Sequence, residues 1–266
     1  MHILVTNDDG VSSPGLVALG AALRRLGTVT VFAPDHNWSA AGHNKTMHKP
    51  LRVESVQLSD GSPALASNGT PSDCVAMAVL GVVGRPIDLV VSGINAGPNL
   101  GQDITYSGTV AGAMEATING LPAIAVSLAS YNSELDFGPA AEVAAAVAET
   151  AHVCGLPPDV FLNVNVPPGP EAARRDVRLT RLGRRVYRDV LLRREDPRGR
   201  PYYWIGGDPP TGEPEPDTDI WALEHGLVSI TPIHMDMTAY PLLNKEGEWR
   251  RRLLAALSAG RGGGGQ

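Results

Sequence analysis

The chain has 266 residues, 43% of them apolar and 19% charged, which is material for one large core and excludes a disordered chain or a coiled coil. Only 5% are aromatic, so that core is aliphatic, while 30 glycines and 22 prolines put much of the chain in turns. A net charge of −6 without any basic tract argues against stable association with nucleic acid.

Taken in chain order, His2–Thr6 reads as a short β-branched strand, and Pro14–Leu26 repeats apolar residues at helical spacing until Gly27 ends it. Val29–Ala33, Ile87–Ser92, Ala123–Leu128 and Val160–Val164 read as further buried strands. Helical stretches lie between them at Pro71–Val82, Thr109–Asn119 and Ala140–His152. Thr70 is placed to cap the first of these, with Pro71 at its opening position and Asp73 completing a capping box. Strands alternating with helices imply an α/β fold with a mostly parallel sheet covered on both faces, and ligands of such sheets collect at the carboxyl ends of the strands.

From Pro167 the regularity breaks. Residues 174–200 are rich in charge, and residues 206–219 are dense in Gly, Pro and acids. Asp219–His225 reads as a short helix closed by Gly226, Leu227–Thr231 as a strand, and the region around Trp249–Leu257 as an amphipathic helix. The expected organisation is a core over residues 1–170, an excursion and oligomerisation arm over 171–259 that completes the same domain, and a flexible tail at 260–266. Cys74 and Cys154 are 80 positions apart, without metal-ligand spacing. The longest apolar run, Val75–Gly84, is about half of what a membrane span needs. A cytoplasmic protein with no membrane partner is expected.

Several polar segments leave strand ends. Asn7-Asp8-Asp9-Gly10 follows the first strand and sets two adjacent carboxylates there, as Mg²⁺-type sites do; an Asx turn capping the next helix is the alternative. Residues 92–101, with three glycines and the oxygen donor Asn95, form a second such loop. Tyr106-Ser107-Gly108-Thr109 opens a helix, where free N–H groups and the positive dipole end favour an anion. A fourth segment, residues 34–39, leaves the second strand; its His36 and the nearby His43 lack ligand spacing and read as solvated. The sequence has no Walker loop, no dinucleotide-binding glycine motif, no aspartyl-phosphate motif, no cysteine phosphate cradle and no nucleophile elbow.

Four segments in order, ILVTNDDG at Ile3–Gly10, GTPSDCV at Gly69–Val75, VSGINAGPNLGQDITYSGTVAGAME at Val91–Glu115 and TDIWALEHGLVSITP at Thr218–Pro232, resemble the SurE family of survival-protein 5'-nucleotidases. The resemblance runs to about Tyr240. It implies a Rossmann-like three-layer core whose C-terminal arm is exchanged between subunits, giving a homodimer or homotetramer. It implies removal of phosphate from nucleoside monophosphates, with looser activity on other phosphomonoesters and short polyphosphate. One divalent metal ion per subunit, Mg²⁺ or Mn²⁺, falls on Asp8, Asp9, Ser39 and Asn95, and a phosphate-binding turn on Ser107, Gly108 and Thr109. Asp8 and Asn95 are the expected catalytic pair. Asp8 is expected to take a proton from attacking water, with a covalent Asp8 intermediate as the other route. A nucleotide sensor and an oligomeric scaffold are the rival functions. After Ser39 the family usually continues with glycine, whereas Ala40 and Ala41 precede Gly42 here.

Overall fold

The computed structural model describes residues 1–132, 136–172, 175–213 and 215–261. Residues 1–235 form one compact unit, and a second unit begins at Asp236. The first is built on a nine-stranded sheet. Its strands in chain order are β1 (His2–Thr6), β2 (Thr28–Pro34), β3 (Val53–Gln57), β4 (Pro63–Ser67), β5 (Leu89–Ala96), β6 (Ala123–Leu128), β7 (Val160–Val166), β8 (Val177–Leu179) and, beyond a separate hairpin, β11 (Val228–His234). Across the sheet they run β3-β4-β2-β1-β5-β6-β7-β11-β8. The pairs from β4 through to β7 are parallel, while β3 against β4 and β11 against β7 are antiparallel.

Helix α1 (Pro14–Leu23) and α4 (Gly138–Cys154) cover one face, and α2 (Pro71–Met77) and α3 (Gly108–Ile118) the other. The two-residue period of β1 divides its side chains accordingly. Ile3 and Val5 pack with Leu16, Leu19 and Leu23 of α1, whereas Leu4 packs with Cys74 and Val75 of α2 and Val110 of α3. Each such fully buried leucine contributes roughly 1.5–3 kcal/mol. Ala140, Ala144, Ala148 and Ala151 form the buried stripe of α4.

The chain winds to one side of β1 to make β2, then returns to make β5 on the other side. The strand order therefore reverses between β1 and β5, and at such a point the loops leaving two neighbouring strands diverge and open a crevice.

Thr70 caps α2 as expected: its hydroxyl accepts from the Asp73 amide at 3.2 Å and the Asp73 carboxylate accepts from the Thr70 amide at 2.9 Å. The helix expected to reach Val82 leaves α geometry after Met77, continuing in wider turns that end at Gly81, whose φ of 112° no helix accommodates. The β3–β4 hairpin was not among the expected elements. Nor was a second hairpin of β9 (Arg184–Glu195) and β10 (Pro201–Glu213), a separate antiparallel pair with a register shift between Asp208 and Thr211. Helix α5 (Asp219–Glu224) precedes β11. Beyond Met235 lie α6 (Tyr240–Leu243) and α7 (Glu246–Arg261); of the expected tail, residues 262–266 fall outside the described residues. Among the described residues no helix is long and apolar enough to cross a membrane.

Candidate active site at the strand reversal

The site begins with a turn that Asn7 makes. Its side-chain amide donates to the Gly10 carbonyl at 3.1 Å and its side-chain oxygen accepts from the Gly10 amide at 3.2 Å. This closes the chain directly after β1 and leaves Asp8 and Asp9 at its tip. Asp8 is buried and faces the start of α3, where Thr109 Oγ1 donates to its carboxylate. Gly108 makes this approach possible: a Cβ there would lie 2.6 Å from Asp8 Cβ and 2.9 Å from Asp8 Oδ2. Ser107 caps the helix, its hydroxyl accepting from the Val110 amide at 3.1 Å. The Asp8 carboxylate thus rests against the positive end of α3.

Asp9 is partly exposed and reaches the opposite wall. It accepts from the Ala96 amide at 3.4 Å and from Asn37 Nδ2 at 3.3 Å, joining the loops after β5 and β2. Asn95 Nδ2 donates to the Gly97 carbonyl at 2.7 Å, which leaves Asn95 Oδ1 as the atom available to a ligand. Ser39 follows Asn37, whose side-chain oxygen accepts from the Ser39 amide at 2.7 Å. Asp8, Ser39, Asn95 and Ser107 line one open cavity of about 490 Å³, together with Tyr106 and Tyr131. Thr109 is fully buried, its hydroxyl committed to Asp8.

The electrostatics of the pair are those of acids short of positive charge. Burial raises the Asp8 pKa above the ordinary carboxylate value, opposed by the Thr109 hydroxyl and by the amides of Thr109 and Gly108. Burial first, and then the charge of Asp8, push Asp9 up to about 6, opposed by the Ala96 amide. A divalent cation relieves both effects. The donors on offer are carboxylate, amide and hydroxyl oxygens, the set that suits Mg²⁺ or Mn²⁺. Among the described residues no cluster of three or more His, Cys, Asp or Glu could hold a metal, so a cation here has to combine the two aspartates with neutral oxygens. The residues fit such an ion.

Several supporting groups were not expected from sequence. Asn99, Ser127, Asn163 and Asn165 form a buried amide network that fixes the glycine-rich loop: the Asn99 amide donates to Asn165 Oδ1 at 2.8 Å, and Asn163 and Asn165 both donate to the Asn99 carbonyl at 2.9 Å. Asp219, fully buried at the start of α5, accepts from the Gly101 amide at 2.8 Å and from the Gly183 amide at 2.7 Å. Burial raises its pKa, opposed by those amides and that of Ile220. His43, expected to be solvated, instead bonds the buried Glu115 at 2.9 Å; a partner 72 positions away is invisible to local reading. His36 stays exposed on its loop, beside Asp35.

The same residues carry the likeness to known proteins. Residues 3–189 match the family model described as survival protein SurE. The 5'-nucleotidase SurE of Herpetosiphon aurantiacus is 54% identical over 258 residues, covering 97% of this chain and 98% of that protein. The 5'-nucleotidase SurE of Chloroflexus aggregans is 51% identical, covering 94% of this chain and 99% of its own. The crystal structure of the SurE protein from Aquifex aeolicus superposes with a TM-score of 0.79 at 39% identity, over 93% of this chain and all of that one. With its sequence matched nearly end to end and its sheet shared with a solved member, this chain belongs to the SurE family.

Proposed function

We propose that this chain is a 5'-nucleotidase, the activity its relatives are named for, and that it hydrolyses nucleoside 5'-monophosphates to nucleoside and inorganic phosphate with one bound Mg²⁺ or Mn²⁺. The observation that carries the reading is the meeting of separate loops at the strand reversal, where Asp8, Ser39, Asn95 and Ser107 line one cavity and Asp8 rests against the α3 N-terminus. Asp8, Asp9, Ser39 and Asn95 would hold the cation, which when bound supplies Lewis acidity toward a phosphoryl oxygen and lowers the pKa of water. Of the expected phosphate-binding turn, Ser107 lines the cavity and would bring the positive end of α3 to the phosphoryl oxygens, while Gly108 and Thr109 face Asp8 and fix that carboxylate beside it.

Water attacks phosphorus as the bond from phosphorus to the nucleoside 5'-oxygen breaks; Asp8, at the edge of the cavity, takes the proton of the water, which is then available to the departing 5'-oxygen. Hydrolysis by water is favoured over attack by Asp8 itself, because the motif lacks the second aspartate spacing of aspartyl-phosphate enzymes. Asn95 orients the reacting group from the opposite wall. The exposed rings of Tyr106 and Tyr131 offer apolar faces on which a nucleoside can rest.

The reading includes a homodimer or homotetramer in which residues 171–259 act as an exchanged arm. Leu191, Trp204 and Ile205 are exposed on the β9–β10 hairpin, and Trp249, Leu253, Leu254 and Leu257 on α7. A mostly apolar cleft of about 650 Å³ opens beside α4, with Val147, Ala151, Leu162, Val228 and Ile230 in its wall. These are surfaces that association of copies would cover. A cytoplasmic setting accords with the free thiols of Cys74 and Cys154.

The test is phosphate release from a panel of nucleoside monophosphates, other phosphomonoesters and short polyphosphate, with and without Mn²⁺, on the wild type and Asp8→Asn. Metal-dependent release from nucleotides that the variant loses by at least about a hundredfold, its circular dichroism unchanged, is expected. Nucleotide binding without release overturns the enzymatic reading in favour of a sensor.

A further inference from the structure

We infer that Glu115 is a positioning residue, a buried carboxylate that clamps the Ser39-bearing loop onto α3 and so fixes Ser39 relative to the phosphate-binding turn. The inference rests on the proposed ligand set, Ser39 in particular.

Residues 35–52 contain no helix or strand, so this loop lacks a ladder of its own and its ordering must be offset by discrete ties. Near the cavity the ties are backbone bonds: the Trp38 amide donates to the Asp8 carbonyl at 2.7 Å and the Gly42 amide to the Tyr106 carbonyl at 2.9 Å. These bracket Ser39. Farther along, the Thr70 hydroxyl donates to the Asn44 carbonyl at 3.1 Å and the Thr46 amide to Asp73 Oδ1 at 3.0 Å. His43 and Lys45, which alternate with Asn44 and Thr46 along the loop, make the tie to Glu115. Glu115, 1% exposed, accepts from His43 Nε2 at 2.9 Å, Lys45 Nζ at 2.8 Å and Asn119 Nδ2 at 3.0 Å.

Glu115 lies seven residues after Gly108, two helical turns, and therefore on the same face of α3. One rigid helix thus carries both the turn that receives phosphate and the carboxylate that holds the loop. Hydrogen bonds between ionised groups are about twice as strong as neutral ones, and this one is sheltered from solvent on the Glu115 side. Burial opposes the charge on Glu115, but the bonds from His43 and Lys45 outweigh it and hold its pKa below the ordinary value. A carboxylate that only filled space in the core would need neither partner.

The experiment is a double-mutant cycle on Mn²⁺ affinity, read by calorimetry or electron paramagnetic resonance on the full chain without substrate. Ser39→Ala and Glu115→Gln are each expected to weaken binding, Glu115→Gln by about tenfold, the size seen when partners of metal ligands are removed. The double variant is expected to bind no more weakly than Ser39→Ala alone, because the clamp acts through Ser39. Losses that multiply, or wild-type affinity in Glu115→Gln, overturn the clamp. Wild-type affinity in Ser39→Ala overturns the ligand set instead. Where Glu115→Gln does not fold, Lys45→Met removes the half-exposed end of the same tie and enters the same cycle.

Discussion

Replacing Gly108 by alanine adds one methyl group at the closest approach between α3 and Asp8. The new Cβ would lie 2.6 Å from Asp8 Cβ, about 1 Å inside the normal separation of carbon atoms. Either the helix start or Asp8 has to retreat by about that distance, and Asp8 is held from the other side by the turn that Asn7 closes. Overpacking of this kind costs about 1–3 kcal/mol, offset by up to about 1 kcal/mol because alanine is the better helix former. The stability loss should therefore stay within about 3 kcal/mol. Catalysis is less forgiving, since a displacement of about 1 Å in a reacting group can lower the rate about a hundredfold. The assay pairs initial rates of phosphate release with urea unfolding of the same preparation. A fall in turnover of about two orders of magnitude with folding nearly intact is expected. Wild-type turnover in Gly108→Ala would refute the contact between Asp8 and the helix N-terminus as the organising feature of the site.

Ala40 adopts φ of 58°, a left-handed conformation that glycine takes without strain; Ala40→Gly should raise stability by about 0.5–1 kcal/mol, and a loss in urea titration would contradict the assigned strain. Thr70→Ala removes the acceptor of the α2 capping box and should cost about 1 kcal/mol, which thermal unfolding would detect. The folded-state pKa of Glu115 is lowered, so its ion pairing contributes fully above the unfolded value and is lost as pH falls through the folded one. The stability gap between wild type and Glu115→Gln should then be widest near neutral pH and close under acid; a gap of constant size from neutral to strongly acid pH would count against the ion pair.

How much of this could be read from sequence depends on where the stabilising partners lie. β1, β6 and β7 are buried along most of their length, and burial writes itself as apolar runs; α4 brings helical periodicity, and α3, buried nearly all round, is marked by the cap at Ser107. β3 reads VESVQ and is exposed along most of its length, so it has no apolar pattern to betray it, and its pairing with β4 supplies what holds it. β9 is exposed on both faces, and its charged sequence looked like irregular chain. The turn after β1 was legible because Asn7 and Gly10 are three residues apart. The ties of His43 and Lys45 to Glu115 were not, because helical or strand period says nothing of a contact across 70 residues.

Asp219 shows why a motif so far from the aspartates accompanies them. Its carboxylate takes one amide from Gly101, in the loop leaving β5, and another from Gly183, just before the β9–β10 hairpin. From Gly101 a short helical turn leads to Thr105, and two residues later Ser107 caps α3. Asp103 in that turn is held by Arg185 Nε at 2.7 Å and by the Tyr187 hydroxyl, both on β9. The segment between the glycine-rich loop and the proposed phosphate-binding turn is thus tied at both of these points to residues beyond position 180, in addition to the amide network that holds Asn99. The first strand offers the charge, the start of α3 and the loops after β5 and β2 face it, and Asp219, Arg185 and Tyr187 hold the stretch of chain that leads into α3.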